Sequence, residues 1–295
     1  MQSGTWVFHT ADMMRLILLT CLTMIAFAAN SVLNRMAVDS GAIDPSSFAL
    51  IRVLAGAVAL CMILTVRGGG LPMLDQSRIV GALSLAAYMI GFSLAYATLD
   101  AGLGALILFG TVQVTMFGWS ARCRAGPTLR QMVGAGIAFA GLLVALWPKD
   151  GGGGDLTGAI LMLIAGLGWA AYTLAGKGAK DPLAATAANF VWTLPILALL
   201  LLGPTQHAAP SGIGLAILSG AVTSGLGYAL WYSILPRLTG QTAAVVQLSV
   251  PIIAIAGGTL LLGEAVTLSL ALAAALVVGG IAVAVTASAA PAGRS

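Results

Sequence analysis

The chain has 295 residues, of which 7% are charged and 59% hydrophobic, with a formal net charge of +4 and a mean hydropathy of +1.02. Such a composition leaves no stretch able to form a separate water-soluble domain, and apolar runs of about 16 to 23 residues recur along it, each long enough as helix to cross ~30 Å of hydrocarbon. The small positive balance is accounted for by basic residues in the connections between runs, so no nucleic-acid partner is called for.

In chain order the runs predict ten spans, at 15–35, 46–66, 79–99, 102–121, 130–147, 156–176, 183–203, 212–233, 240–262 and 266–287. The breaks between them have local causes: Gly68-Gly69-Gly70 with Pro72, Gly126-Pro127, Asp181-Pro182, Gly203-Pro204 and Pro236 are all poor at continuing a helix. Long runs without period-two alternation favour helices over a barrel, because lipid-exposed backbone must bond within its own segment. The expected organisation is a cytoplasmic segment 1–14, a five-helix repeat 15–150, a glycine linker 151–155, a second five-helix repeat 156–287 and a cytoplasmic tail 288–295. Five is odd, so the second repeat must run inverted relative to the first.

Ten of the thirteen basic residues fall on the side that holds the N-terminus, the even-numbered connections and the C-terminus; Arg35, Arg52 and Lys149 fall on the other. Both termini are therefore expected in the cytoplasm, in the inner membrane of a bacterium. Arg15, the run from Leu16 and Ala26-Phe27-Ala28 imitate a secretory signal. That reading is set aside because Phe27-Ala28-Ala29-Asn30 lines up with Trp169-Ala170-Ala171-Tyr172 in the second half. Cys21, Cys61 and Cys123 show no disulfide or metal spacing, and neither a metal nor a cofactor is expected.

The internal match continues. Asp44-Pro45 opens the second span as Asp181-Pro182 opens the seventh, each an N-cap followed by a proline whose missing N–H does no harm there. Gly91 to Tyr96 parallels Gly227 to Tyr232, setting Phe92 against Tyr228. Inverted repeats place their binding site near the midplane, at the interface between halves.

The stretch Gln247-Leu248-Ser249-Val250-Pro251, continuing to Leu260-Leu261-Leu262-Gly263-Glu264, resembles the proline and "LLGE" signature of EamA-type members of the drug/metabolite transporter superfamily. The resemblance covers essentially the whole chain, and within the superfamily it is closest to YddG-type exporters. It implies an all-α membrane protein of ten helices in two inverted repeats, an arginine in the second helix, here Arg52, and export of aromatic and other neutral amino acids. The first half departs from the signature: Thr115 stands where Pro251 stands, and Thr128 where Glu264 stands.

Polar side chains deep in a bilayer are costly and so are site candidates. Arg52, about two turns inside its span, has two readings: a fork for a substrate carboxylate, or a snorkelling side chain paired with Asp44 or Asp100. Its repeat counterpart is Asn189. Gln113 and Gln247 lie in counterpart helices and suit either substrate or interhelical hydrogen bonds. Pro251 would free the Gln247 carbonyl, and Pro195 that of Val191, making both prolines candidate kinks. Tyr88, Trp169, Trp192 and Tyr228 are deep aromatics able to stack on a side chain, and Asn30 shares a face with Asn34. Ser219, Thr223 and Gly227 form a small-residue packing stripe, and Glu264 is expected to cap the tenth helix.

No zinc-protease, serine-hydrolase or nucleotide-loop motif is present, so neither an enzyme nor an ATP-driven pump is expected. None of the nine acidic residues lies mid-span, which favours export down a gradient over proton coupling. The expectation is a transporter of small metabolites working by alternating access, with the bilayer and a small molecule as its partners and a monomer sufficing. The competing class is a non-transporting membrane scaffold, or a transporter of another metabolite class.

Overall fold

The structure, a computed structural model, describes residues 4–75, 77–123, 128–146, 155–176, 179–203, 206–238, 243 and 246–286. Its ten apolar helices follow the sequence: α1 (Gly4–Asp39), α2 (Pro45–Val66), α3 (Ser77–Ala95), α4 (Ala101–Cys123) and α5 (Leu129–Leu146) form one half. The second half comprises α6 (Leu156–Ala175), α7 (Pro182–Ala198), α8 (Pro210–Arg237), α9 (Ser249–Leu262) and α10 (Leu268–Thr286). Seven are long and apolar enough to span a membrane, and α5, α9 and α10 are shorter apolar helices. The protein is an all-α, multi-pass membrane protein.

Helix starts are written locally. The Asp44 carboxylate accepts from the N–H groups of Ser46 and Ser47 at 3.0 and 2.9 Å, and Asp181 accepts from Leu183 and Ala184 at 3.1 Å, each with its proline in the first turn. These matched caps begin counterpart helices of the two halves. Asp155 caps α6 through Thr157 and Gly158.

Packing between halves obeys the two-fold relation that a repeat requires. α3 lies along α6, and the counterpart pair α8 lies along α1; α2 packs on α8 as α7 packs on α3; α4 packs on α6 as α9 packs on α1. Three further pairs, α2 with α7, α4 with α9 and α5 with α10, each join a helix to its own counterpart. Most packing is thus between halves, and each depends on the other to bury its apolar faces.

The odd-numbered connections meet at one end. Asp44 and His207 exchange bonds of 2.8 and 3.0 Å, Thr98 donates to Asp155 at 2.9 Å, and Arg35 lies beside Asp39, Asp100 and Glu264. Glu264 is a cap, but of another helix than its position in the chain suggests. Its carboxylate accepts from the Ala101 and Gly102 N–H groups at 2.7 and 3.5 Å, closing the start of α4 in the opposite half, whereas α10 begins with Thr267 accepting from Leu270. An exposed helix start four residues away is satisfied by a hydroxyl, leaving the carboxylate to reach across.

Two further segments differ from expectation. The ninth span was expected at 240–262, but helix is interrupted at Leu248 and α9 begins at Ser249. Pro251 then falls in the first turn, where its missing N–H breaks no bond, so the break sits before the proline. In α8, residues Leu218–Leu226 wind as π-helix. Under that winding positions i, i+4 and i+5 share a face, whereas 3.6 residues per turn would carry i+5 away. Ser219, Thr223 and Ser224 accordingly all donate to one atom, Asn30 Oδ1, at 2.9, 2.6 and 3.2 Å. The stripe read as bare packing is a polar seam between α8 and α1.

Candidate functional site

A cavity of about 20 Å³ lies at the centre, where α1, α3, α4, α6 and α8 converge. Aromatic rings make most of its wall: Phe27 from α1, Tyr88 and Phe92 from α3, Trp169 from α6 and Tyr228 from α8, with Phe109 from α4. Asn30 and Ser31 supply the polar edge, and Leu108 completes it. The rings form a continuous belt, with centroids 5.8 Å apart for Phe27 and Tyr228, 5.3 Å for Tyr228 and Trp169, 5.0 Å for Trp169 and Tyr88, and 5.3 Å for Tyr88 and Phe92. This volume has room for one or two waters, far less than the ~300 Å³ of a small-molecule pocket.

Four expected site residues, Asn30, Tyr88, Trp169 and Tyr228, line this cavity. The others lie elsewhere. Trp192 is 43% exposed and donates from Nε1 to the Met73 carbonyl at 3.0 Å, in the connection before α3. Asn189 is buried against α3, accepting from Arg78 Nη1 at 3.3 Å and filling the space beside Gly81. Gln113 is half-buried one turn beyond Phe109, and Gln247 is half-buried just before α9; neither lines the cavity. Pro195 sits inside α7 without ending it.

Arg52 is not the snorkelling side chain paired with Asp44 or Asp100. It is 0% exposed, donates from Nε to Ser224 Oγ and from Nη2 to Tyr88 Oη, both at 3.1 Å, and stacks over Phe92 with its guanidinium carbon 4.8 Å from the ring centroid. Ser224 passes the connection on to Asn30, so Arg52, Ser224 and Asn30 form a buried polar chain that reaches the cavity at Asn30.

Phe27 and Phe92 were not singled out from sequence. The signal was there: the repeat sets Phe27 against Trp169 and Phe92 against Tyr228, and all four side chains line the cavity. Projecting a candidate through the repeat finds its partner across the two-fold axis. The same projection of Leu108 and Phe109 gives residues 244 and 245, outside the described residues.

At the end where the odd connections meet, Glu264 is pushed above its ordinary pKa of 4.5 by burial, an effect outweighing the Ala101 N–H and the Arg35 guanidinium. It ties α4 of one half to the α9–α10 connection of the other.

The EamA-like transporter family matches residues 156–286, the second repeat. A protein of Pseudomonas aeruginosa is 47% identical over 273 residues, covering 91% of this chain and 93% of its own. A probable amino-acid metabolite efflux pump of Salmonella typhimurium is 30% identical over 203 residues, 62% of this chain and 67% of that one. The chain belongs to the EamA-like transporter family. An Archaeoglobus fulgidus transporter is 28% identical over 162 residues, 52% of this chain and 56% of its own. A crystal structure at 21% identity superposes with a TM-score of 0.64 over 90% of this chain and 97% of the other, showing the shared fold. The members of this family are transporters, so the central cavity belongs to a protein that moves solutes.

Proposed function

We propose that this protein is an inner-membrane exporter of neutral amino acids, aromatic ones included, working by alternating access with both termini in the cytoplasm. The observation that carries the reading is the aromatic cavity at the interface of the two repeats, whose wall includes two pairs of repeat-equivalent rings, Phe27 with Trp169 and Phe92 with Tyr228. Rocking of one half against the other would open it to either face. Aromatic faces accept an apolar side chain, and their negative centres accept an ammonium group. The name of the Salmonella relative, a probable amino-acid metabolite efflux pump, supports the same substrate class. No acidic residue lies mid-span, which favours facilitated movement down a gradient.

A flux screen in proteoliposomes with labelled amino acids, amines and sugar phosphates tests this. Counterflow of L-phenylalanine above empty-liposome background is expected; transport confined to amines or sugar phosphates would reject the substrate class, and no flux of any would favour a scaffold.

A further inference from the structure

Arg52 is a buried charge without a counter-charge. Among the described residues no carboxylate lies within ion-pair distance of it; the ion pairs there are made by Arg35 and Arg78. Two of its nitrogens bond neutral hydroxyls, and among the described residues Nη1 has no hydrogen-bond partner. A guanidinium cannot shed its proton to escape burial, as a lysine can, and a buried ion left uncompensated is strongly unfavourable. Residues that break a local rule at such a cost are concentrated at functional sites.

Its position says what would compensate it. The guanidinium rests on Phe92 and Tyr88, with its carbon 4.8 and 5.6 Å from their centroids, and those same rings line the cavity. One side chain, that of Tyr88, both walls the cavity and occupies an Arg52 nitrogen. Displacing its hydroxyl would present Nη2 and the unused Nη1 together, the fork that a carboxylate accepts bidentately.

We infer that the transported solute must carry a carboxylate, which replaces the Tyr88 hydroxyl on Arg52. Tyr88 is then a positioning residue that holds the charge when the cavity is empty. This deepens the amino-acid reading and rests on the cavity being the passage, but it makes a narrower claim: the carboxylate is obligatory, the ammonium is not. The counter-charge of Arg52 arrives with the cargo.

The test uses the full chain purified in detergent, with thermal unfolding midpoints read in L-phenylalanine, 3-phenylpropionate, 2-phenylethylamine and 2-phenylethanol. Both carboxylates should raise the midpoint by about 2 °C or more, and the amine and alcohol should not. Arg52→Met should fold with a ligand-free midpoint no lower than wild type and lose both shifts. Arg52→Lys keeps the charge without the fork and should retain the preference for carboxylates at roughly tenfold weaker affinity. Tyr88→Phe removes the competing hydroxyl, so its ligand-free midpoint should fall while its carboxylate shift grows. An equal shift with the amine, unchanged shifts in both Arg52 variants, or no shift with any carboxylate overturns the inference. A response to 3-phenylpropionate but not to L-phenylalanine would uphold it and reject the amino-acid reading. Undiminished L-phenylalanine flux in Arg52→Met liposomes would do the reverse.

Discussion

Phe92 and Tyr228 stand 136 residues apart at equivalent positions of the two repeats, and they line one cavity from opposite halves. The same shift relates Tyr88 to Ser224, the two hydroxyls that hold Arg52. A single arginine from the first half is therefore suspended between symmetry-equivalent positions, while its own counterpart is the uncharged Asn189. The architecture is symmetric; the charge in it is not.

The aromatic belt predicts paired effects. Trp169→Ala and Phe27→Ala should each lower L-phenylalanine flux at least about tenfold, a transition-state loss of ~1.4 kcal/mol, with the protein still folded by size-exclusion and thermal unfolding. Normal flux in both, or loss only through unfolding, would make these residues packing.

Two glycines of α8 should behave differently. A Cβ at Gly220 would overlap the Arg52 carbonyl oxygen, whereas at Gly227 it would sit 3.4 Å from Ala26 Cβ, an ordinary contact. Gly220→Ala should cost about 1–3 kcal/mol and lower the unfolding midpoint, and Gly227→Ala should change it little. Equal effects would contradict the close α2–α8 approach.

Asn30 Oδ1 gathers three hydroxyls from the π-helical stretch. Asn30→Leu leaves them to compete for other acceptors in a buried seam, at a cost of about 1–3 kcal/mol. The unfolding midpoint of Asn30→Leu should fall accordingly, and an unchanged midpoint would contradict the seam.

Much of the fold was legible because hydropathy, proline and glycine act locally. The Asp44-Pro45 and Asp181-Pro182 starts came directly from residue order. The inward direction of each side chain was not legible: a helix in lipid is apolar all round, so no polar stripe marks its inward face. Gln113 and Trp192 illustrate this, being central in their spans yet outside the cavity. Glu264 was read as a cap from its neighbours, but the helix it caps is set by tertiary packing. The state of Arg52 depends on which charges fail to meet it, and no linear pattern records that.

Glu264 gives stability a defined pH dependence. Burial raises its pKa above 4.5, so the folded protein holds this proton to higher pH than the unfolded chain does. The contribution is complete below 4.5 and is lost as pH rises through the folded value. Asp44 and Asp155 act oppositely. Burial of Asp44 is outweighed by bonds from Ser47, His207 and Ser46, and Asp155 is lowered first by its bond from Thr98; their contributions are present above 3.8 and lost as pH falls through their folded values. Between neutral pH and about pH 5 the Glu264 contribution should raise the midpoint on acidification. Glu264→Gln keeps an acceptor for the Ala101 N–H and should flatten that slope; an unchanged slope would assign it to another group.

The central claim is that the cavity between the repeats is the passage and opens to each face in turn. In a variant with Cys21, Cys61 and Cys123 replaced, Phe92→Cys and Tyr228→Cys should each be labelled by a membrane-impermeant thiol reagent added to either side of sealed proteoliposomes, with Ser295→Cys and Gly152→Cys reporting the two opposite faces. L-Phenylalanine should slow labelling at both cavity positions and at neither reporter. Labelling of the cavity positions from one face only, or at a rate that L-phenylalanine leaves unchanged, would contradict alternating access through this site.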